Sequence, residues 1–417
     1  MEIYLITTFV IGYCFIIFEK NMKVDKAAFA LLTGVLCWVI YAFNSHDSEE
    51  VNRELSHHIS EISAILFFLL GAMTIVEMID AHNGFEVITS RLTSRSKRKL
   101  LWLVVVLSFF LSAVLDNLTT AIVMTTLCAK LFSEKKDRWM VLGLVIIAAN
   151  AGGAWSPIGD VTTTMLWMGE KITALGVMKS LIIPSILCAF VPTLIASFLL
   201  KGNLPTRNEE QIAKGSDFEG KLVFISGIAG LLLVPVFKSV TGLPPYMAIL
   251  FSLGCLWFIT EMLHKKKSQE EKEKLSVVRV LQRVDVPSIL FFLGILAAVA
   301  VLQSTGILIQ LAEILSQQLK SDFLIASFIG LLSAIVDNVP LLAASMGMYG
   351  HFPSDHEFWK LIAFTTGTGG SCLIIGSAAG VAVMGIEKID FIWYFKRISL
   401  LALLGYFSGL LYLFFFL

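Results

Sequence analysis

The sequence has little charge and no excess of either sign. Asp, Glu, Lys and Arg make up 15% of its 417 residues, against about a quarter in a soluble chain. Acids and bases balance to a formal net charge of zero. Nothing in that balance supplies the basic patch that nucleic acid needs. Cysteine is sparse as well. Cys14, Cys37, Cys128, Cys188, Cys255 and Cys372 stand singly in apolar segments, and no pair has metal-ligand spacing. They read as small core residues. The first apolar run lacks a basic leader and a small-residue cleavage site, so it reads as a retained span and not as a signal peptide.

What is present is apolar: 56% of the residues are hydrophobic. Runs of about 17–20 residues recur, long enough to cross a bilayer core of about 30 Å. Spans are predicted at 3–18, 24–43, 61–80, 139–169, 179–200, 222–240, 244–262, 285–304, 360–386 and 391–416. The stretches 100–132 and 322–349 differ. Each is broken near its centre by an acid and an amide, in the near copies SAVLDN (112–117) and SAIVDN (333–338). Each half is about 15 residues, about 22 Å of helix, too short to cross comfortably alone. A carboxylate in an apolar run is costly and points first to function.

Charge decides how these stretches run. Treated as re-entrant hairpins, they leave Arg53, Lys171, Lys179, Lys238, Lys320 and Lys360 on one side and every other Lys and Arg on the opposite side. The rich side is cytoplasmic by the positive-inside rule. Both flanks of the first hairpin are basic, and both flanks of the second are poor in Lys and Arg. The hairpins therefore open from opposite faces, and both termini lie outside. The predicted fold is an all-α polytopic membrane protein of two inverted-topology repeats. Residues 1–200 form the first repeat, with a hairpin at 100–132 and a broken helix at 139–169. Residues 201–220, with Gly202 and Pro205, form a polar linker. Residues 221–417 form the second repeat, with a hairpin at 322–349 and a broken helix at 360–386. Stretches 84–92 and 307–318 read as amphipathic surface helices, and 264–284 as a solvated loop.

The broken helices carry the second pair of motifs, NAGGAWSPIGDVTTT (150–164) and TGTGGSCLIIGS (366–377). Gly-Gly aligns with Gly-Gly, and Gly159 with Gly376. Glycine and proline at mid-span unwind a helix and release carbonyls. Paired broken segments in the two halves point to a transporter's binding site. Tips and breaks would gather Asp116, Asn117, Thr119, Thr120, Asn150, Ser156, Asp160, Thr162, Thr163, Asp337, Asn338, Thr366, Thr368 and Ser371. Nearly all offer oxygen, and no Lys or Arg is expected among them. That chemistry suits a hard cation such as Na+ and repels an anion. A buried carboxyl also binds protons, so Na+ and H+ would compete for one acid. Na+ is placed at Asp116, Asn117, Asp337 and Asn338. As capping residues alone, the Asp and Asn at the tips would have no further role. Glu77, Asp80 and His82 form a one-sided cluster that reads as a secondary proton path or pH sensor.

At these residues the chain resembles the NhaD-type sodium/proton antiporters, within a superfamily of inverted, hairpin-bearing carriers. The segments that carry the resemblance are GAMTIVEMIDAHNGF (71–85), LDNLTTAIVM (115–124), NAGGAWSPIGDVTTT (150–164), VDNVPL (336–341) and TGTGGSCLIIGSAAG (366–380). The resemblance implies exchange of Na+ or Li+ for H+ across a bacterial-type inner membrane, with no cofactor. It implies a scaffold and a moving transport domain, often in a homodimer. It carries ion-binding roles to Asp116, Asn117, Ser156, Asp160, Thr162, Asp337, Asn338 and Ser371, and secondary roles to Glu77 and His82. Related dicarboxylate carriers have Ser-Asn-Thr at the hairpin tips, where this chain has Asp. Two alternatives stand beside this reading. One is an oxyanion exporter or Na+-coupled anion symporter of the same superfamily. The other is an intramembrane aspartyl protease, for which the usual Gly-x-Gly-Asp is incomplete at Pro157-Ile158-Gly159-Asp160.

Overall fold

Capping side chains start most of the helices, Asp and Ser above all. The structure is a computed structural model, and it describes residues 1–17, 22, 24–45, 47–89, 94, 96–200, 202–204, 218–265 and 267–417. Pro205 with most of the expected linker, the end of the 84–92 stretch, and Lys20, Lys23 and Arg95 of the basic flanks lie outside the described residues. Among the described residues, sixteen main helices fall into two sets of eight. The first set is α1 (Glu2–Ile17), α2 (Lys26–Asn44), α3 (Ser48–Ala81), α4 (Lys97–Leu115), α5 (Asn117–Leu131), α6 (Lys135–Ala154), α7 (Val161–Met168) and α8 (Ala174–Leu199). The second is α9 (Phe218–Thr241), α10 (Pro245–His264), α11 (Val286–Ser304), α12 (Asp322–Leu332), α13 (Asn338–Met348), α14 (Glu357–Gly369), α15 (Ala378–Glu387) and α16 (Phe391–Phe416). Each helix of the first set has its counterpart eight places on.

The packing follows the same two-fold pattern. Helix α2 lies on α11, and α3 on α10. Helix α4 lies on α6, as α12 lies on α14; α5 lies on α15, as α13 lies on α7. Helices α8 and α16 pack on each other. Among the described residues, eight helices are long and apolar enough to cross a membrane, and no β-strand occurs. This is an all-helical polytopic membrane fold.

Two contacts between helix ends give the direction of the broken helices. Arg138, at the start of α6, donates to Glu387, at the end of α15, at 2.8 Å. At the other end, the Thr173 amide just beyond α7 donates to Asp355, just before α14, at 2.8 Å. Start meets end at both places, so the two broken helices run antiparallel. The start of the first hairpin also lies beside the segment that follows it: Lys97, which opens α4, reaches Asp137 in the first turn of α6 at 2.5 Å. The chain therefore enters at Lys97, turns at Asp116 and returns to the same side.

Three expectations need correction. The first hairpin arm is longer than half its apolar run, because Ser96 caps a helix whose first turn is Lys97-Arg98-Lys99. Its 19 residues reach about 28 Å. The third span is the C-terminal part of a 34-residue helix, which Asp47 starts by accepting from the Glu49 and Glu50 amides. The basic segment after α10 is not a plain loop. Ser268 and Glu271 form a capping box for helix Gln269–Leu275, and Val277–Leu281 buries Val277 and Val280.

Close backbone contact holds each hairpin to its broken helix. A Cβ at Gly152 would press on the Phe109 carbonyl of α4, and one at Gly369 on the Gly330 carbonyl of α12. Only glycine lets these helices approach so closely.

Candidate functional site

The two hairpin tips and the first helix break open onto one cavity of about 70 Å³. Asp116 and Asp337 stand at the tips, and Asp160 at the break. Asn117 and Asn338 line the same space, with Phe292 of α11 across from them. The cavity thus lies where the hairpin and broken-helix unit meets α3, α9 and α11.

Each acid starts a short helix. Asp116 caps α5, accepting from the Thr119 amide at 2.7 Å and its hydroxyl at 2.9 Å. Asp160 caps α7, accepting from the Thr162 amide at 3.3 Å and from the Thr162 hydroxyl. Asp337 caps α13, accepting from the Val339 amide at 3.2 Å. Capping therefore occurs at all three positions, but it uses part of each carboxylate. Asp116 has φ +89°, a backbone region that L residues other than glycine rarely occupy. Such strain costs about 1–3 kcal/mol and clusters at functional sites.

A hydrogen-bonded chain joins the two repeats behind the cavity. The Asn117 side-chain amide donates to Asp160 Oδ1 at 2.7 Å and to Asn150 Oδ1 at 3.1 Å. The Asn150 amide donates to Ser371 Oγ and Ser377 Oγ, each at 2.9 Å. Asn150 is fully buried, and Asn117, Asp160, Ser371 and Ser377 nearly so. Ser377 caps α15 and stands where Asp160 stands in the first repeat. The alignment of Gly159 with Gly376 is the sequence signal that points to it.

Not every expected residue belongs at the centre. Thr368 donates to the Phe364 carbonyl of its own helix at 2.6 Å, as a Thr on a helix often does. Ser156 donates to the Ala113 carbonyl at 2.5 Å and ties the break to the first hairpin. His82 belongs to a separate cluster with His264, while Glu77 and Asp80 sit near Arg283.

The expectation of no Lys or Arg at the tips is overturned. Lys26, the first residue of α2, places its ammonium 3.1 Å from Asp337 Oδ2 and lines the cavity. The sequence puts this lysine in a basic connection. The fold carries the start of α2 to the second hairpin, where the ammonium meets the carboxylate as a partly exposed pair at the cavity.

The site's chemistry is therefore three carboxylates, one ammonium, two amides and the hydroxyls of Thr164 and Ser288 around a space of a few water volumes. Ligand pockets for larger molecules run to about 300–1,000 Å³. The arrangement fits small cations held by oxygen.

Comparison with known proteins agrees with this architecture. A family model described as "Citrate transporter" matches residues 13–369. Sodium/proton antiporter 1 of Arabidopsis thaliana is 49% identical over 406 residues, 96% of this chain and 70% of that protein. Sodium/proton antiporter 2 of the same plant is 47% identical, with 97% of each chain covered. The Na(+)/H(+) antiporter NhaD of Vibrio cholerae is 30% identical, over 95% of this chain and 88% of its own length. Among solved structures, the Alcanivorax borkumensis YdaH transporter, described as having an unusual topology, shares the fold. Its TM-score is 0.58 at 13% identity, covering 88% of this chain and 89% of that one.

Proposed function

We propose, from the premise that this chain belongs to the NhaD-type sodium/proton antiporters within the citrate transporter family, that it exchanges Na+ for H+. It is a multi-pass membrane carrier and not an enzyme. The observation that carries the exchange reading is the shared cavity. Asp116, Asp160 and Asp337 face a space too small for a larger anion and repulsive to it.

The mechanism follows from what each residue does. Asp116 and Asp337 each hold either a cation or a proton. Asn117 and Asn338 supply amide oxygen or hold the carboxylates in place. The irregular backbone at 155–160 and 373–377 supplies carbonyls, as broken helices do in other carriers. Lys26 is an internal cation that occupies Asp337 when no ion is bound, and an arriving Na+ displaces it. Asn117, which donates to both Asp160 and Asn150, transmits the state of the first tip to Asn150 and so to the second repeat. Li+ is a second cargo in this reading, and the assembly is a homodimer. The chain sits in an inner membrane with its Lys/Arg-rich ends in the cytoplasm and its termini outside.

A second reading, anion transport, is favoured by the description of the matched family. Purified protein in liposomes with an imposed pH gradient separates the two. The exchange reading expects uptake of 22Na+ driven by the gradient. Counter-flow of labelled citrate, with no 22Na+ movement, would replace it with the second reading.

A further inference from the structure

Away from the acidic cavity, three helix ends bring His82, Glu219 and His264 together. His82 is the C-cap of α3, Glu219 is in the first turn of α9, and His264 ends α10. The Nε2 atoms of His82 and His264 are 3.0 Å apart. Glu219 Oε1 lies 3.2 Å from His264 Nε2 and 3.8 Å from His82 Nε2. Both imidazoles are buried, at 5% and 3% exposure.

Two imidazole nitrogens this close cannot both carry protons. They share one proton, or they share a metal ion. The tautomer of His82 is compatible with the second use. Its Nδ1 is 2.7 Å from the Met78 carbonyl, which only accepts, so Nδ1 carries the proton and Nε2 presents a lone pair. A backbone carbonyl on the far nitrogen is the usual support of a metal-ligating histidine. Two histidines and a glutamate form a known zinc donor set. A zinc ion about 2.0–2.1 Å from each ligand holds tetrahedral neighbours about 3.3–3.4 Å apart. The three separations of 3.0, 3.2 and 3.8 Å bracket that value. The rings lie within 7° of parallel, so binding one ion requires the His264 ring to turn until its Nε2 lone pair meets that of His82 beside Glu219.

We propose that His82, His264 and Glu219 bind a divalent transition-metal ion of the zinc class, with a fourth position left to water. Lys267 reaches both carboxylate oxygens of Glu219, Oε1 at 2.8 Å and Oε2 at 2.7 Å, so its ammonium competes with the metal for Oε1. The ligands come from both repeats. Helix α3 precedes the first hairpin, and α9 and α10 follow residues 205–217. A bound ion would therefore clamp the two halves together at their Lys/Arg-rich ends. This site is independent of the exchange chemistry proposed above.

The test uses full-length protein in detergent, stripped with chelator and then titrated with Zn2+ or Co2+. We expect one saturable equivalent, visible as four-coordinate Co2+ absorption that Zn2+ abolishes. Zn2+ should raise the Tm of the wild-type protein, since it binds only the folded chain. His264→Gln and Glu219→Gln should each weaken binding at least about tenfold and remove the Tm rise. His57→Asn, at an exposed histidine, should change neither. Lys267→Met should tighten binding by removing a positive neighbour. If His264→Gln does not fold, Glu219→Gln, which keeps the shape, carries the test. A wild-type protein that binds no metal, leaving a triad that shares only protons, would overturn the proposal. Binding unchanged in the folded variants would overturn it equally.

Discussion

The Asn117 amide donates to Asp160 Oδ1 at 2.7 Å, so the first hairpin tip and the first helix break act as one unit. Asp116 and Asp160 are thereby held on the same cavity wall with their helices starting side by side. An ion at Asp116 would be felt at Asp160 through one side chain.

Asn117→Ala should loosen that unit without removing a carboxylate. It deletes a charge-assisted hydrogen bond worth about 1.5–3 kcal/mol. The apparent KM for Na+ should rise about tenfold or more, while protein level in the membrane stays unchanged. A variant with wild-type KM would remove Asn117 from the site.

Lys26→Met should separate the internal cation from its role. With no ammonium to displace, Na+ meets Asp337 directly. The apparent KM for Na+ should fall and kcat should fall with it, because release loses its competitor. A rise in KM at unchanged kcat would mean that Lys26 only orders the second tip.

Gly152→Ala and Gly369→Ala should each destabilise the fold. The added methyl would strike the Phe109 or the Gly330 carbonyl, both backbone atoms with little room to move. Overpacking of this kind costs about 1–3 kcal/mol, and thermal unfolding in detergent reads it directly. An unchanged Tm in either variant would contradict the close packing of hairpin on broken helix.

Acid should weaken the scaffold through His82. Burial holds its pKa below the usual histidine value, opposed by the Met78 carbonyl. The unfolded chain therefore takes up this proton more readily than the folded one as pH falls through about 6.5. Stability is present above that pH and is lost below it. In metal-free buffer the Tm of the wild type should drop between pH 7.5 and 5.5, and by less in His82→Gln. An equal drop in both would assign the pH dependence elsewhere.

The architecture was readable because duplication left matching marks. The copies SAVLDN and SAIVDN end at the two tips, and the aligned glycines at 152–153 and 369–370 mark the two breaks. Period and composition locate such features because they are local. Contacts between distant segments are not. Lys26 looks like one more residue of a basic connection, and only the packing of α2 on α11 brings it to Asp337. His82 was visible as a titratable residue next to acids, yet its partners His264 and Glu219 come from the other repeat. Asn150 appeared as one oxygen donor among many, and its position between Asn117 and Ser377 is a tertiary fact. The polar turns that extend α3 and α4 escape hydropathy for another reason. Hydropathy marks where a helix is apolar, while Asp47 and Ser96 mark where it starts.

In the proposed exchange, a cation and a proton compete for the carboxylates of this cavity. Inside-out vesicles carrying a pH-sensitive dye test it most directly, with Na+, Li+ and K+ added in turn to wild type and to Asp116→Asn. With competition at Asp116, Na+ should collapse an imposed pH gradient in the wild type and leave it intact in an equally expressed Asp116→Asn. A full Na+ response in that variant, or none in the wild type, would contradict it.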